Sequence, residues 1–134
     1  MAGFVKLEQM EVWKRGCRLV VKVYKATNEG ALEHDWGLRD QIRRAAVAIP
    51  SNIAEGYERG TPVEFRRFVQ IAKGSCGELR TQLYLAQALG YIARARARNL
   101  SRSVWKYRKC FKAWFGNCPS RSSVEPASPI GLDS

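Results

Sequence analysis

The sequence predicts an all-α protein, an antiparallel up-and-down four-helix bundle. Apolar residues recur at steps of three and four over separate stretches, the period of one helix face. Glycines and a threonine–proline pair stand between those stretches, where a bundle needs its turns. The only strictly alternating run, residues 93–99, has no partner strand elsewhere in the chain. At 134 residues, 46% of them apolar, the chain is sized for one domain with a modest core, which self-association would help to bury. The predicted organisation is a bundle over residues 1–116 and a disordered tail over 117–134, which holds three prolines, five serines and a glycine without periodicity.

Helix one is expected over residues 8–29, with Val12, Gly16, Leu19, Val20 and Val23 on its apolar stripe and Lys14, Arg15, Arg18, Lys22 and Lys25 on other faces. A mid-helix glycine costs about 1 kcal/mol relative to alanine, so Gly16 is expected to mark a close helix crossing. Gly30 suits a C′ stop. Residues 30–37 read as a loop in which Asp35 can cap the next helix.

Helix two is expected over residues 37–59, on a stripe of Leu38, Ile42, Ala45, Ala46, Ile49, Ile53 and Tyr57. Pro50 interrupts it, offering no N–H and displacing the carbonyl of Ala46. Two outcomes stay open: a kink, or a stop and restart with Ser51 as cap. Asn52 is placed to satisfy the freed carbonyl, and Glu55 and Arg59 are spaced for an i, i+4 pair.

Helix three, residues 62–90, opens with Thr61 as cap, Pro62 in the first helical position and Glu64 three residues after the cap, a capping box. Its core face runs through Phe65, Phe68, Val69, Ala72, Cys76, Leu79, Leu83, Ala86 and Leu89. Residues 93–99 read as a connector or as the first turn of helix four. Helix four is expected over residues 99–115, on Leu100, Val104, Tyr107, Phe111 and Trp114.

The segment "LRDQIRRAAVAIPSNIAEGYERG", residues 38–60, resembles the signature of the four-helix-bundle family encoded in intervening sequences of bacterial 23S ribosomal RNA genes. The likeness begins upstream in "LEQMEVWKRGCRLVVKVYKAT" and continues through "FRRFVQIAKGSCGELRTQLYLAQALGYI", residues 65–92. The family is similar in turn to the accessory variability determinant of diversity-generating retroelements, a basic bundle that works with a reverse transcriptase and its RNA. The resemblance implies a helical bundle, a ring-like homo-oligomer (a pentamer), no enzymatic activity and no cofactor. It also marks Gln41, Arg43, Arg44, Pro50, Asn52, Glu55, Gly56 and Arg59 as family-motif positions, read here as serving bundle and subunit packing. Tyr107-Arg108-Lys109-Cys110-Phe111 departs from the family, whose last helix is less basic.

The charge is lopsided. The chain carries a net +11. Residues 1–93 hold 14 basic and 10 acidic side chains, and residues 94–134 hold 9 basic and 2 acidic. Such a balance favours a polyanionic partner, nucleic acid before an anionic membrane. The candidate nucleic-acid-binding residues are Arg94, Arg96, Arg98, Arg102, Lys106, Arg108, Lys109 and Lys112, interleaved with Trp105, Tyr107, Phe111, Trp114 and Phe115. Guanidinium forks suit phosphate oxygens, and flat side chains stack on unpaired bases. Arg43 and Arg44 would extend the path. The competing readings are an accessory subunit docking on a reverse transcriptase, a protein-interaction scaffold without nucleic acid, and a membrane-surface helix built on Trp105, Trp114 and Phe115.

Catalysis is not expected. His34 is the sole histidine, no serine or cysteine is placed to form a triad with it, and Gly74-Ser75-Cys76-Gly77 lacks the spacing of a phosphate loop. Its small residues are expected to allow close helix approach. Cys17, Cys76, Cys110 and Cys118 form no C-x-x-C pair and read as reduced thiols with no metal site, in a cytoplasmic setting. No secretory pattern or 18-residue apolar run is present.

Overall fold

The stripes read from the sequence become the buried faces of four helices: α1 (Glu11–Thr27), α2 (Trp36–Glu58), α3 (Pro62–Ala88) and α4 (Arg94–Phe115). Single 3-10 turns precede α1 (Leu7–Gln9) and α2 (Gly30–Glu33). The structure, a computed structural model, describes residues 6–115, with side chains as far as residue 112. The predicted tail, and the side chains of Trp114 and Phe115, lie outside the described residues.

Each helix packs on the next, and α4 returns against α1 to close the bundle. Val23, Ile42, Ile49, Ile53, Leu79, Leu83 and Val104 are completely buried at its centre. Each such side chain contributes about 1.5–3 kcal/mol relative to exposure. The turns after α2 and α3 use Gly60 (φ +77°) and Gly90 (φ +76°), a backbone region that L side chains rarely adopt.

Local signals set the helix starts. The Asp35 carboxylate accepts from the Leu38 amide at 3.1 Å, and Thr61 Oγ1 accepts from the Glu64 amide at 3.3 Å. The reciprocal half of the expected capping box is replaced, because the Glu64 carboxylate faces Arg67 at 3.5 Å. The alternating run 93–99 is helical, so α4 starts at Arg94 rather than 99. Ala97 is buried there, extending the Leu100–Val104 stripe one turn back.

Pro50 neither stops α2 nor restarts it: the helix is continuous from Trp36 to Glu58. The proline ring is itself buried, against α1 at Gly16. Asn52 does not serve the Ala46 carbonyl. Its Nδ2 donates to Ala48 O at 2.7 Å, the carbonyl four residues back along its own face.

Two glycines mark close crossings. A Cβ on Gly16 would lie 2.8 Å from the Tyr107 hydroxyl and 3.4 Å from Pro50 Cβ. A Cβ on Gly56 would lie 2.8 Å from Phe68 Cβ and 3.2 Å from Phe65 Cα. Gly74 and Gly77 differ, and here the expectation of close helix approach is corrected. Both are exposed with nothing within 4 Å of an added Cβ, while Ser75 and Cys76 between them face inward.

Alanine scanning of these glycines should therefore split by sign. Gly56→Ala should lose about 2 kcal/mol, because the new methyl meets backbone and a Cβ that cannot swing aside. Gly16→Ala should lose about 1 kcal/mol net, overpacking against the buried Tyr107 ring exceeding the gain in helix propensity. Gly74→Ala and Gly77→Ala should each gain about 0.5–1 kcal/mol. Urea unfolding measures all four, and a loss at Gly74 or Gly77 would show that another chain presses on that face.

Candidate nucleic-acid interface

The period of α4 sorts its cations. At 3.6 residues per turn, Ala97, Leu100, Val104, Tyr107 and Phe111 form one inward stripe. Arg94, Arg98, Arg102 and Lys106 follow one another by four residues along the exposed side, with Lys109 and Lys112 beside them. Arg96 does not join them. It lies on the opposite flank, where its Nη1 is 2.6 Å from the Glu29 carboxylate at the end of α1. The basic segment is thus a ridge of exposed cations plus one arginine tied to the α1 side. On that same flank Arg15 Nη1 is 3.1 Å from Cys110 Sγ.

Trp105 faces α3, not open solvent. Arg80 of α3 lies 4.9 Å from the ring centroid, Arg108 4.9 Å and Lys109 5.4 Å. The indole is half-buried under these cations. Each such contact contributes about 0.5–1 kcal/mol at an exposed site. Arg80 holds its proton less tightly than an ordinary arginine, first because it is partly buried and second because Arg108 stands beside it. Below them Cys76 is buried, and burial pushes its thiol from the ordinary 9.0 up to about 12, against a smaller opposing effect of Arg108 and Arg80.

Arg80 was not among the residues singled out in the sequence. It stands between Leu79 and Leu83 on a helix read for its core, and only the packing of α4 gives it a role. Arg66 and Lys73 precede it at intervals of seven residues, two helical turns each, so all three fall on one side of α3. Arg66 and Lys73 are exposed. That regular spacing was the available signal.

The motif arginines lie elsewhere, between α1 and α2. Arg43 is engaged within the chain: Nε donates to Thr27 Oγ1 at 2.9 Å, Nη2 donates to Asn28 Oδ1, and the guanidinium sits 4.5 Å from the Tyr24 ring centroid. Thr27 is fully buried, and its hydroxyl in turn donates to Tyr24 O at 3.1 Å. Arg43 is therefore a clamp joining two helices, and it does not extend the α4 ridge. Arg44 is exposed and lines an open depression of about 500 Å³ with Tyr24, Asp40, Arg43, Val47 and Ala48.

Of the other motif residues, Gln41 is exposed and Pro50 and Gly56 are buried packing positions. Glu55 pairs with Arg59 at 3.0 Å, and Arg59 also covers the Phe68 ring at 5.2 Å. His34 is exposed in the α1–α2 connection. Among the described residues no group of histidine, cysteine and carboxylate side chains could hold a metal ion, and no helix is long and apolar enough to cross a membrane.

Comparison with known proteins accords with this architecture. The family model described as "23S rRNA-intervening sequence protein" matches residues 8–113. A solved structure from Bacteroides thetaiotaomicron, a protein of unknown function from the S23 ribosomal protein family, is similar at a TM-score of 0.70 and 19% identity. The alignment covers 78% of this chain and 98% of that one. No curated protein matches the chain.

The burial of Cys76 has a direct readout. Its raised pKa leaves a thiolate fraction roughly a thousandfold below that of an ordinary cysteine, and α3 and α4 block access. Iodoacetamide labelling of the native protein at pH 8, followed by peptide mass spectrometry, should modify the half-buried Cys110 and leave Cys76 intact. Cys76 should label once urea unfolds the chain.

Proposed function

This chain belongs to the family of 23S rRNA-intervening sequence proteins, and from that premise we propose that it is a non-enzymatic, self-associating bundle that binds RNA through the α3–α4 side. One observation carries the reading. Arg94, Arg98, Arg102, Lys106, Lys109 and Lys112 stand on the exposed side of a helix that has no acidic residue, and Arg80 of α3 joins them beside Trp105. A row of cations extended along one helix follows a polyphosphate backbone better than it fits a small ligand.

The ridge supplies affinity and little sequence information, since phosphate contacts position a nucleic acid and base contacts specify it. Single-stranded or looped RNA fits better than a duplex, because a flexible backbone can follow cations spread along one helix. Self-association is supported by the chain's size, which lets one copy bury only a modest core on its own. A second copy would repeat the ridge and multiply its effect by avidity.

The test is fluorescence anisotropy with a labelled single-stranded RNA and a DNA duplex over a salt series, with particle mass from light scattering on the same sample. Neutralising about five phosphates on a single strand gives a slope of log K against log salt of about −3.5. Replacing Arg94, Arg98 and Arg102 together by glutamine should flatten that slope by about 2. Arg96→Gln, on the Glu29 flank, should leave it nearly unchanged. Absence of binding at physiological salt by a well-formed particle would overturn the reading and redirect it to an acidic protein partner.

A further inference from the structure

The α3–α4 side has one place where cations converge instead of spreading out. Arg80 comes from α3, and Arg108 and Lys109 come from α4, three and four residues beyond Trp105. All three charges lie within 5.4 Å of a single ring centroid. None of them takes part in an ion pair among the described residues, where Glu11, Glu29, Asp40, Glu55 and Glu64 all pair elsewhere. The indole quadrupole attracts each cation singly and does nothing to relieve their mutual repulsion.

We propose that Arg80, Arg108 and Lys109 form a seat for one phosphate group, with the Trp105 ring as its floor. The inference rests on the RNA-binding reading for its natural ligand, a phosphodiester of the RNA backbone, and it names where on the α3–α4 side the backbone is gripped. A tetrahedral anion presents several oxygens at once, so cations arriving from two helices can each meet a different oxygen. Arg80 is the fixed member: it emerges between the buried Leu79 and Leu83 and is itself half-buried. Burial and the adjacent Arg108 both disfavour its charge, and a bound anion reverses that balance. Lys109 is exposed and closes over from the solvent side.

The experiment follows the Trp105 indole N–H in ¹H–¹⁵N spectra of the whole protein, assigned with Trp105→Phe. Inorganic pyrophosphate and a short single-stranded RNA are titrated separately. The proteins are wild type, Arg80→Gln, and the ridge variant carrying R94Q, R98Q and R102Q. Pyrophosphate should shift the Trp105 signal saturably in wild type and in the ridge variant, and fail to do so in R80Q. R80Q should also weaken RNA binding by about tenfold, the effect of one charge-assisted contact.

If R80Q is not folded by circular dichroism, Arg80→Lys and Arg108→Gln take its place, with graded loss expected in both. A Trp105 signal unmoved by pyrophosphate, or R80Q titrating like wild type, overturns the seat. The two readings fail separately. RNA bound equally by wild type and R80Q with Trp105 unmoved keeps the RNA reading and removes the seat. Pyrophosphate captured through Arg80 with no RNA binding keeps the seat and removes the RNA reading.

Discussion

One hydrogen bond orients the surface that faces the solvent. The Tyr107 hydroxyl donates to the carbonyl of Val12 at 2.6 Å, joining the last helix to the first across 95 residues of sequence. It fits because Gly16 has no side chain where the hydroxyl lies, and because Pro50 closes the third side of the same crossing. Burial pushes the phenol's pKa well above its ordinary value, so the group stays a donor. A carbonyl already serving its own helix accepts a second bond there through its other lone pair. Once Tyr107 is fixed inward, helical period decides the rest of α4: Trp105 must face α3, and Arg98, Arg102 and Lys106 must face out. The functional reading therefore depends on a contact on the far side of the helix from the cations.

The cations fall into two groups by what surrounds them. Arg43, Arg59, Arg67 and Arg96 each meet a carboxylate or a hydroxyl within the chain. Exposed pairs of this kind add only a few tenths of a kcal/mol, but they fix side-chain direction and remove those charges from the available surface. Among the described residues, Arg80, Arg108, Lys109 and the exposed cations Arg94, Arg98, Arg102 and Lys106 meet no carboxylate within ion-pair distance.

What the sequence disclosed and what it hid follow from the range of the interactions involved. The α3 start was legible because Thr61, Pro62 and Glu64 act over one turn, and the core stripes were legible because a helix repeats its own period. Gly16 was legible as a close crossing for the same reason: it sits on the stripe. Gly74 and Gly77 were misread although the stripe through Ala72, Cys76, Leu79 and Leu83 leaves both of them off it. The start of α4 was hidden because alternating alanine and arginine imitates a two-residue period. Only the burial of Ala97 reveals the helical one. Arg80 and the partners of Arg43 were hidden for a different reason. Their roles come from another helix, and no local pattern encodes which cation will lie over which ring.

The placement of α4's first residues has a consequence for the helix itself. The peptide dipoles of an α-helix sum to a partial positive charge at its N-terminus, where acidic side chains stabilise and basic ones destabilise by about 0.3–1 kcal/mol each. The first turn of α4 has no acidic residue and begins with Arg94, followed by Arg96 and Arg98. Among the described residues, Arg96 alone of these three has a carboxylate within ion-pair distance, that of Glu29. The opening turns of α4 are held together by the burial of Ile92, Ala97 and Leu100 against an electrostatic field that opposes them. They should therefore fray first in dilute buffer, and a polyanion laid along the ridge would supply the negative charge that the helix lacks. Ligand binding and the ordering of this helix end would then be one equilibrium, each drawing on the other.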